Sequence, residues 1–135
     1  MINPTLSLLK LLSQNGFGTL SKDLFWEQLE LGKVGVYITS IGEAQDIHTR
    51  RVQQFELIAR GDTKVSGYTK LAQIVEFLNN SYSSICTLPS VQNKAGETVC
   101  DEIGSVTITP LSTISNSGLD SEGKTIWNAT GRIEY

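Results

Sequence analysis

Along RRVQQFELIARG, residues 50 to 61, apolar and polar positions alternate with a period of two. Phe55, Leu57 and Ala59 share one side, while Val52, Gln54, Glu56, Ile58 and Arg60 share the other. Successive side chains of a strand point to opposite faces, so this pattern predicts a long strand with one buried face and one largely polar face. VGVYITS, residues 34 to 40, predicts a partner strand from its β-branched and aromatic content, and IGEAQDIH between them reads as the loop of an antiparallel hairpin.

Two segments follow a helical period instead. Asn3 as N-cap and Pro4 at the first helical position introduce Leu6, Leu8, Leu9, Leu11 and Leu12, and Gly16 supplies a stop. Such a broad apolar face must lie against a sheet or a neighbouring subunit. Residues 66 to 81 predict a second helix, with Tyr68, Leu71, Val75, Leu78 and Tyr82 three or four apart and Ala72 and Ile74 widening the stripe.

The connector over 16 to 33 has mixed signals, with Phe25, Trp26, Leu29 and Leu31 as apolar pins. Residues 83 to 102 contain Pro89 and Gly96 and suggest a short, irregular strand pair around ICTL and ETVC. IGSVTITPLST is a third strand signal with a Thr-rich face, its far end demoted by Pro110 to an edge or bulge. NSGLDSEGK reads as a loop rich in turn formers, and KTIWNATGRIEY as a last strand that ties Tyr135 into the sheet. The expectation is one α+β domain over residues 1–135, a four-stranded mainly antiparallel sheet packed with two helices in the order α-β-β-α-β-β.

Charge and composition narrow the function classes. A net charge of -3 argues against a basic nucleic-acid-binding surface. The nearest basic cluster is His48, Arg50 and Arg51, with Arg60 and Lys64 further on, and solvated strand positions account for it. LSLLKLL is far shorter than the ~20 apolar residues a membrane helix needs, and MINPTL lacks a basic n-region, so no membrane partner and no secretory signal are expected. Cys86 and Cys100 then read as two reduced thiols.

Chemistry-bearing patterns are sparse. His48 is the one histidine, and HExxH, CxxC and P-loop patterns are missing. The spacing of His48, Cys86 and Cys100 fits no usual zinc pattern. A Cys–His nucleophile can be written on paper for almost any chain with one histidine. Asp101 with Glu102, or Glu27 with Glu30, is a formal carboxylate pair without a distinguishing arrangement, and GDTKVSG serves better as a strand-to-helix turn than as a dinucleotide loop. The sequons NNS at 79 to 81 and NAT at 128 to 130 carry no weight without secretion. No catalytic residue, cofactor or metal site is expected. Neither is an enzymatic function.

A wider pattern links these pieces. Val36 and Tyr37 in the first strand, Gln54, Phe55, Leu57, Arg60 and Gly61 in the second, and Tyr68, Ala72, Ile74, Val75 and Leu78 in the helix precede Ile126, Trp127, Ile133 and Tyr135. In this order the chain resembles the tail terminator proteins of long-tailed (siphovirus) bacteriophages, also described as tail completion or minor capsid proteins. The resemblance implies a structural virion assembly protein, a homo-oligomer, usually a homohexamer ring, that caps the head-proximal end of the tail tube. Such a ring stops tube polymerisation and forms the head-tail joining surface. The implied partners are the tail tube protein and a head completion or connector protein, with DNA passing through the ring without specific binding. The implied location is the head-tail interface of the virion, assembled in the host cytoplasm.

The 83 to 102 segment and VSG at the start of the second helix depart from the family pattern. Alternatives are a head-completion or neck connector protein, and a small enzyme or ligand-binding α+β domain. On the ring reading, Gln54, Glu56, Arg60 and Arg50 are the candidate inter-subunit or lumen surface, and replacing Glu56 or Arg60 by alanine is expected to leave folding nearly unchanged.

Overall fold

A computed structural model describes residues 1–27, 33–45, 50–81, 85–109 and 112–135. Its helices are α1 (Pro4–Gln14) and α2 (Lys64–Ser81). Its strands are β1 (Leu24–Trp26), β2 (Gly35–Gln45), β3 (Arg51–Arg60), β4 (Cys86–Leu88), β5 (Val91–Gln92), β6 (Thr98–Cys100), β7 (Ile103–Thr109), β8 (Ser115–Leu119) and β9 (Thr125–Glu134). The expected positions Leu29, Leu31, His48, Tyr82 and Pro110 lie outside the described residues.

The four-stranded sheet expected from sequence is corrected to a seven-stranded mixed sheet, ordered β1-β2-β3-β9-β7-β4 with β8 also on β9, beside a separate β5-β6 ribbon. β1 runs parallel to β2, and the other pairings are antiparallel. The sheet curls into a half-barrel around the helices. ICTL and ETVC do not pair with each other. Cys86 and Leu88 pair with β7, whereas the ribbon joins Val91–Gln92 to Thr98–Cys100.

Two further segments read as loops are strands. β2 continues through Gln45 past an irregularity between Ser40 and Gly42, where Ile41 is the extra residue of a bulge. β8 runs from Ser115 into the turn-rich NSGLDSEGK stretch. All its residues are exposed, so no apolar alternation marks it, and backbone pairing to β9 is what makes it a strand.

Both helices bury into one face of the sheet. Leu8, Leu9 and Leu12 of α1 and Leu71, Ile74 and Leu78 of α2 join Val36, Ile38, Phe55, Leu57, Ala129 and Ile133 in a single apolar cluster. Each fully buried leucine or isoleucine contributes roughly 1.5–3 kcal/mol relative to an exposed one. Phe55 sits opposite Ser40 on one side and Gly131 on the other, two small residues that leave room for its ring. Buried polar groups in α1 are partnered: Thr5 Oγ1 accepts from Trp26 Nε1 at 3.0 Å, and Ser7 Oγ lies 3.4 Å from Cys100 Sγ.

The stripe of α2 is rotated from the expected one. Gly67, not Tyr68, faces inward, and Tyr68 stays at the rim with an edge-on contact to Trp127 at 5.0 Å. Close approach explains this: a Cβ on Gly67 would stand 3.0 Å from Gly61 N and 3.3 Å from Trp127 Cδ1, and one on Gly61 would overlap Ser66 Oγ and Gly67 N. Thr63 and Ser66 cap each other reciprocally, each hydroxyl accepting the other's backbone N–H at 3.0 Å. The unusual VSG is therefore the joint between the end of β3 and α2.

Phe55→Ala is expected to lower the unfolding free energy by about 3–4 kcal/mol in a denaturant titration. Gly61→Ala, which adds only a methyl group, is expected to destabilise by more than about 1 kcal/mol because backbone atoms must move. Parent-like stability of Phe55→Ala would mean that the faces of β3 are reversed.

Candidate functional site

The residues nominated from sequence do not form one surface. Gln54 is exposed and Glu56 half-buried on the face of β3 turned away from both helices. Arg50 is at the far end of the sheet, where Nη2 donates to the carbonyls of Ser105 at 2.8 Å and Glu134 at 3.0 Å. Arg60 is 5% exposed, so its assignment to an open surface is corrected.

Arg60 instead clamps three segments. Nη1 donates to the carbonyl of Lys33 at 3.2 Å, and Nη2 donates to Glu122 Oε2 at 2.5 Å. Nε lies 2.5 Å from Asp120 Oδ2 without N–H alignment, so that contact is an ion pair rather than a hydrogen bond. The start of β2 and the β8–β9 turn are thereby tied to the end of β3. The turn itself is organised by Asp120, whose Oδ1 accepts from the backbone N–H of Glu122 and of Lys124, each at 2.9 Å. The Lys124 N–H above all, helped by the Glu122 N–H and the charges of Arg60 and Lys124, holds the Asp120 carboxyl below its ordinary value, although burial, second in size only to the Lys124 N–H, opposes it.

The surface that remains is the middle of the outer face. Thr39 and Thr130 flank Glu56 across the sheet, and Gln54 pairs with Arg132. Asn128 Nδ2 donates to Glu56 Oε2 at 3.3 Å. Burial, and secondarily the Glu56 charge, pushes the Tyr37 hydroxyl up from its ordinary value, so Tyr37 stays protonated beside that carboxylate. A shallow depression lies here, lined by Ile41, Gln54, Thr109, Ser112, Thr130, Gly131 and Arg132. Sequence reading missed Ile41, the bulge residue of β2, and Thr109, Thr130 and Arg132, for which the alternation along β7 and β9 was the available signal. Toward β1 the same face turns apolar, with Phe25, Tyr37 and Ile58 in one cross-strand row.

A second cleft, about 400 Å³, opens where β2, β3 and α2 meet, among Gly16, Gly18, Gly35, Gly61 and Gly67, with Asp23, Arg60 and Lys70. Its polar groups are largely committed, because Arg60 is paired and Ser66 is spent on the cap. Cys86 and Cys100 are free thiols, and burial raises the Cys86 value, which reduces its thiolate fraction. Glu27 accepts from Thr39 Oγ1 at 3.1 Å, Ser40 Oγ at 3.0 Å and Ser40 N at 3.3 Å, which holds its left-handed backbone in place. Asp101 receives the Met1 amino group at 2.7 Å. Among the described residues no three His, Cys, Asp or Glu side chains are grouped to hold a metal, and no helix is long and apolar enough to cross a membrane.

No family model matches the chain, and no match to it is found among curated proteins.

Arg60→Ala, once expected to be silent, is now expected to destabilise by about 2 kcal/mol, less than a fully buried pair because Glu122 is 46% exposed. Arg60→Met, which keeps the apolar stem, should lose less. A depressed Asp120 value stabilises the fold fully above the unfolded value of about 4, and this contribution disappears as pH falls through the native value. Thermal unfolding between about pH 5 and 2 should therefore show the parent losing more stability than Asp120→Asn.

Proposed function

We propose that this chain is a structural assembly protein that caps the head-proximal end of a phage tail tube as a homo-oligomeric ring. It halts tube growth there and presents the surface to which the head joins. The observation that carries the reading is the division of labour across the sheet. One face holds both helices, while no helix among the described residues covers the other. That second face presents Thr39, Gln54, Glu56, Thr130 and Arg132 from adjacent strands, a surface suited to a lumen or to a neighbouring protein.

The family resemblance runs through β2, β3, α2 and β9, the elements that build this arrangement. Charges on the outer face are mixed, with Glu56 beside Asn128 and Arg132 paired to Glu134 at 3.3 Å. Among the described residues that face carries no continuous basic track, which suits passage of DNA without retention, because phosphate binding depends on clustered cations.

Deletion of the gene from its phage, followed by electron microscopy, tests the reading. Tails of abnormal, variable length are expected, whereas tails of normal length that fail to join heads would place the protein among neck connectors instead. A Gln54→Arg, Thr130→Arg double variant is expected to unfold within about 1 kcal/mol of the parent and yet fail to restore normal tails. Full complementation by that variant would remove the outer face from the interaction.

A further inference from the structure

β1 ends the strand order, and one rung of its outer side is open. Val36 N–H donates to the Asp23 carbonyl at 2.9 Å and Glu27 N–H to the Ile38 carbonyl at 2.7 Å, so Asp23, Phe25 and Glu27 turn their backbone groups toward β2. Leu24 and Trp26 turn theirs away from the sheet. The Leu24 groups are used, its N–H by the Thr19 carbonyl at 3.1 Å and its carbonyl by the Ser21 N–H at 2.8 Å. Among the described residues the N–H and carbonyl of Trp26 have no partner.

Trp26 also lines an apolar cleft of about 410 Å³ beside that edge. Leu6 of α1 forms its floor, Leu20 and Trp26 one wall, and Val99 of the β5-β6 ribbon the other. These four side chains are accessible, Trp26 at 44% and Val99 at 37%, whereas Leu9 and Leu24 are closed off beneath them. The Trp26 indole N–H is held by Thr5 Oγ1, so this wall is formed in advance of any ligand.

The rim is basic, although the chain as a whole carries a net charge of -3. Lys22 stands on the turn before β1, Lys94 on the ribbon turn, and Lys10 one helical turn from Leu6 on the same side of α1. None of the three makes an ion pair among the described residues. Glu97, close to Lys94 on the ribbon turn, offsets one of them. The other acids of these segments are engaged elsewhere: Glu27 with Thr39 and Ser40, Asp101 with the Met1 amino group, and Asp23 in the glycine-lined cleft.

We propose that the edge of β1 takes an extended segment of a partner protein by strand addition, a segment in which apolar residues alternate with acidic ones. Its backbone bonds to the open rung at Trp26, one apolar side chain fills the space between Leu6, Leu20, Trp26 and Val99, and its carboxylates meet Lys22 and Lys94. Successive side chains of a strand point to opposite faces, so one such segment presents both chemistries together. The open rung selects a peptide over an acyl chain, which has no backbone groups to pair with it. The exposed edge of β8 is less suited, because its register is broken between Asn116 and Leu119 and the Gly118 N–H is already taken by Asn116 Oδ1 at 2.7 Å. This surface is separate from the outer-face depression and stands whether or not the chain forms a ring.

The probe is a fluorescein-labelled peptide of alternating leucine and glutamate, titrated into the full chain. A saturable rise in anisotropy is expected, with affinity about tenfold lower for the Lys22→Glu, Lys94→Glu double variant and for a peptide carrying lysine in place of glutamate. Amide exchange locates the contact: the Trp26 amide should exchange freely in the unbound chain and slow by about tenfold with peptide bound. Val99→Glu, at an exposed position where thermal unfolding should stay parent-like, is expected to abolish binding. Absence of saturable binding, equal binding of the lysine peptide, or protection at Ser115–Leu119 instead of Trp26 would each overturn the proposal. Decanoate competing with the peptide at equal affinity would also overturn it and assign the cleft to an acyl chain.

Discussion

The fold depends on the position of β3 between β2 and β9, paired on both sides over nearly its whole length. That placement makes the period of two in RRVQQFELIARG decisive. Phe55, Leu57 and Ala59 must all enter the helix side, because a slip of one residue would expose them and bury Gln54 and Glu56. Both helices then have one apolar face to cover, and the other face is left to residues whose burial is not required. The function proposed for the outer face follows from the same register that builds the core.

Arg60 shows how one residue can break such an alternation for a structural reason. By position it belongs to the outer face, yet the β8–β9 turn folds over it and supplies Asp120 and Glu122. Burying a guanidinium is tolerable only with this pairing, and the pairing fixes the turn to the end of β3. The clamp, the Gly61–Gly67 approach and the Thr63–Ser66 cap all lie at one end of the strand. That end is organised for rigidity, and the polar middle around Glu56 is free for contact.

What was legible in the sequence was whatever carried its own period. Residues around β2, β3 and β9 announced themselves through alternation, α1 through leucine spacing and its caps, and α2 through its apolar stripe. β1 could not be read, since three residues in a glycine-containing connector form a strand only because β2 offers them a parallel partner. β8 was hidden for a related reason: SNSGL has no buried side and is defined by the backbone of β9. The position of Arg60 is not legible because its acidic partners are 60 and more positions away, beyond any local pattern. The phase of α2 is not legible at Tyr68 because a glycine adds nothing to an apolar stripe, although the bare backbone of Gly67 is what allows the helix to meet Gly61.

The central claim is that alternate positions of β3 serve different purposes, the inner ones holding the fold and the outer ones serving assembly. A substitution scan of β3 and its outer-face neighbours, read for both soluble folded protein and restored tail length, measures this directly. Changes at Phe55, Leu57, Ala59 and Arg60 should lower both readouts together, whereas changes at Gln54 and Glu56, and at Thr130 across the sheet, should lower tail completion alone. Loss of folded protein at Gln54, Glu56 and Thr130 to the same extent as at Phe55, or full tail completion whatever residue they carry, would contradict the account.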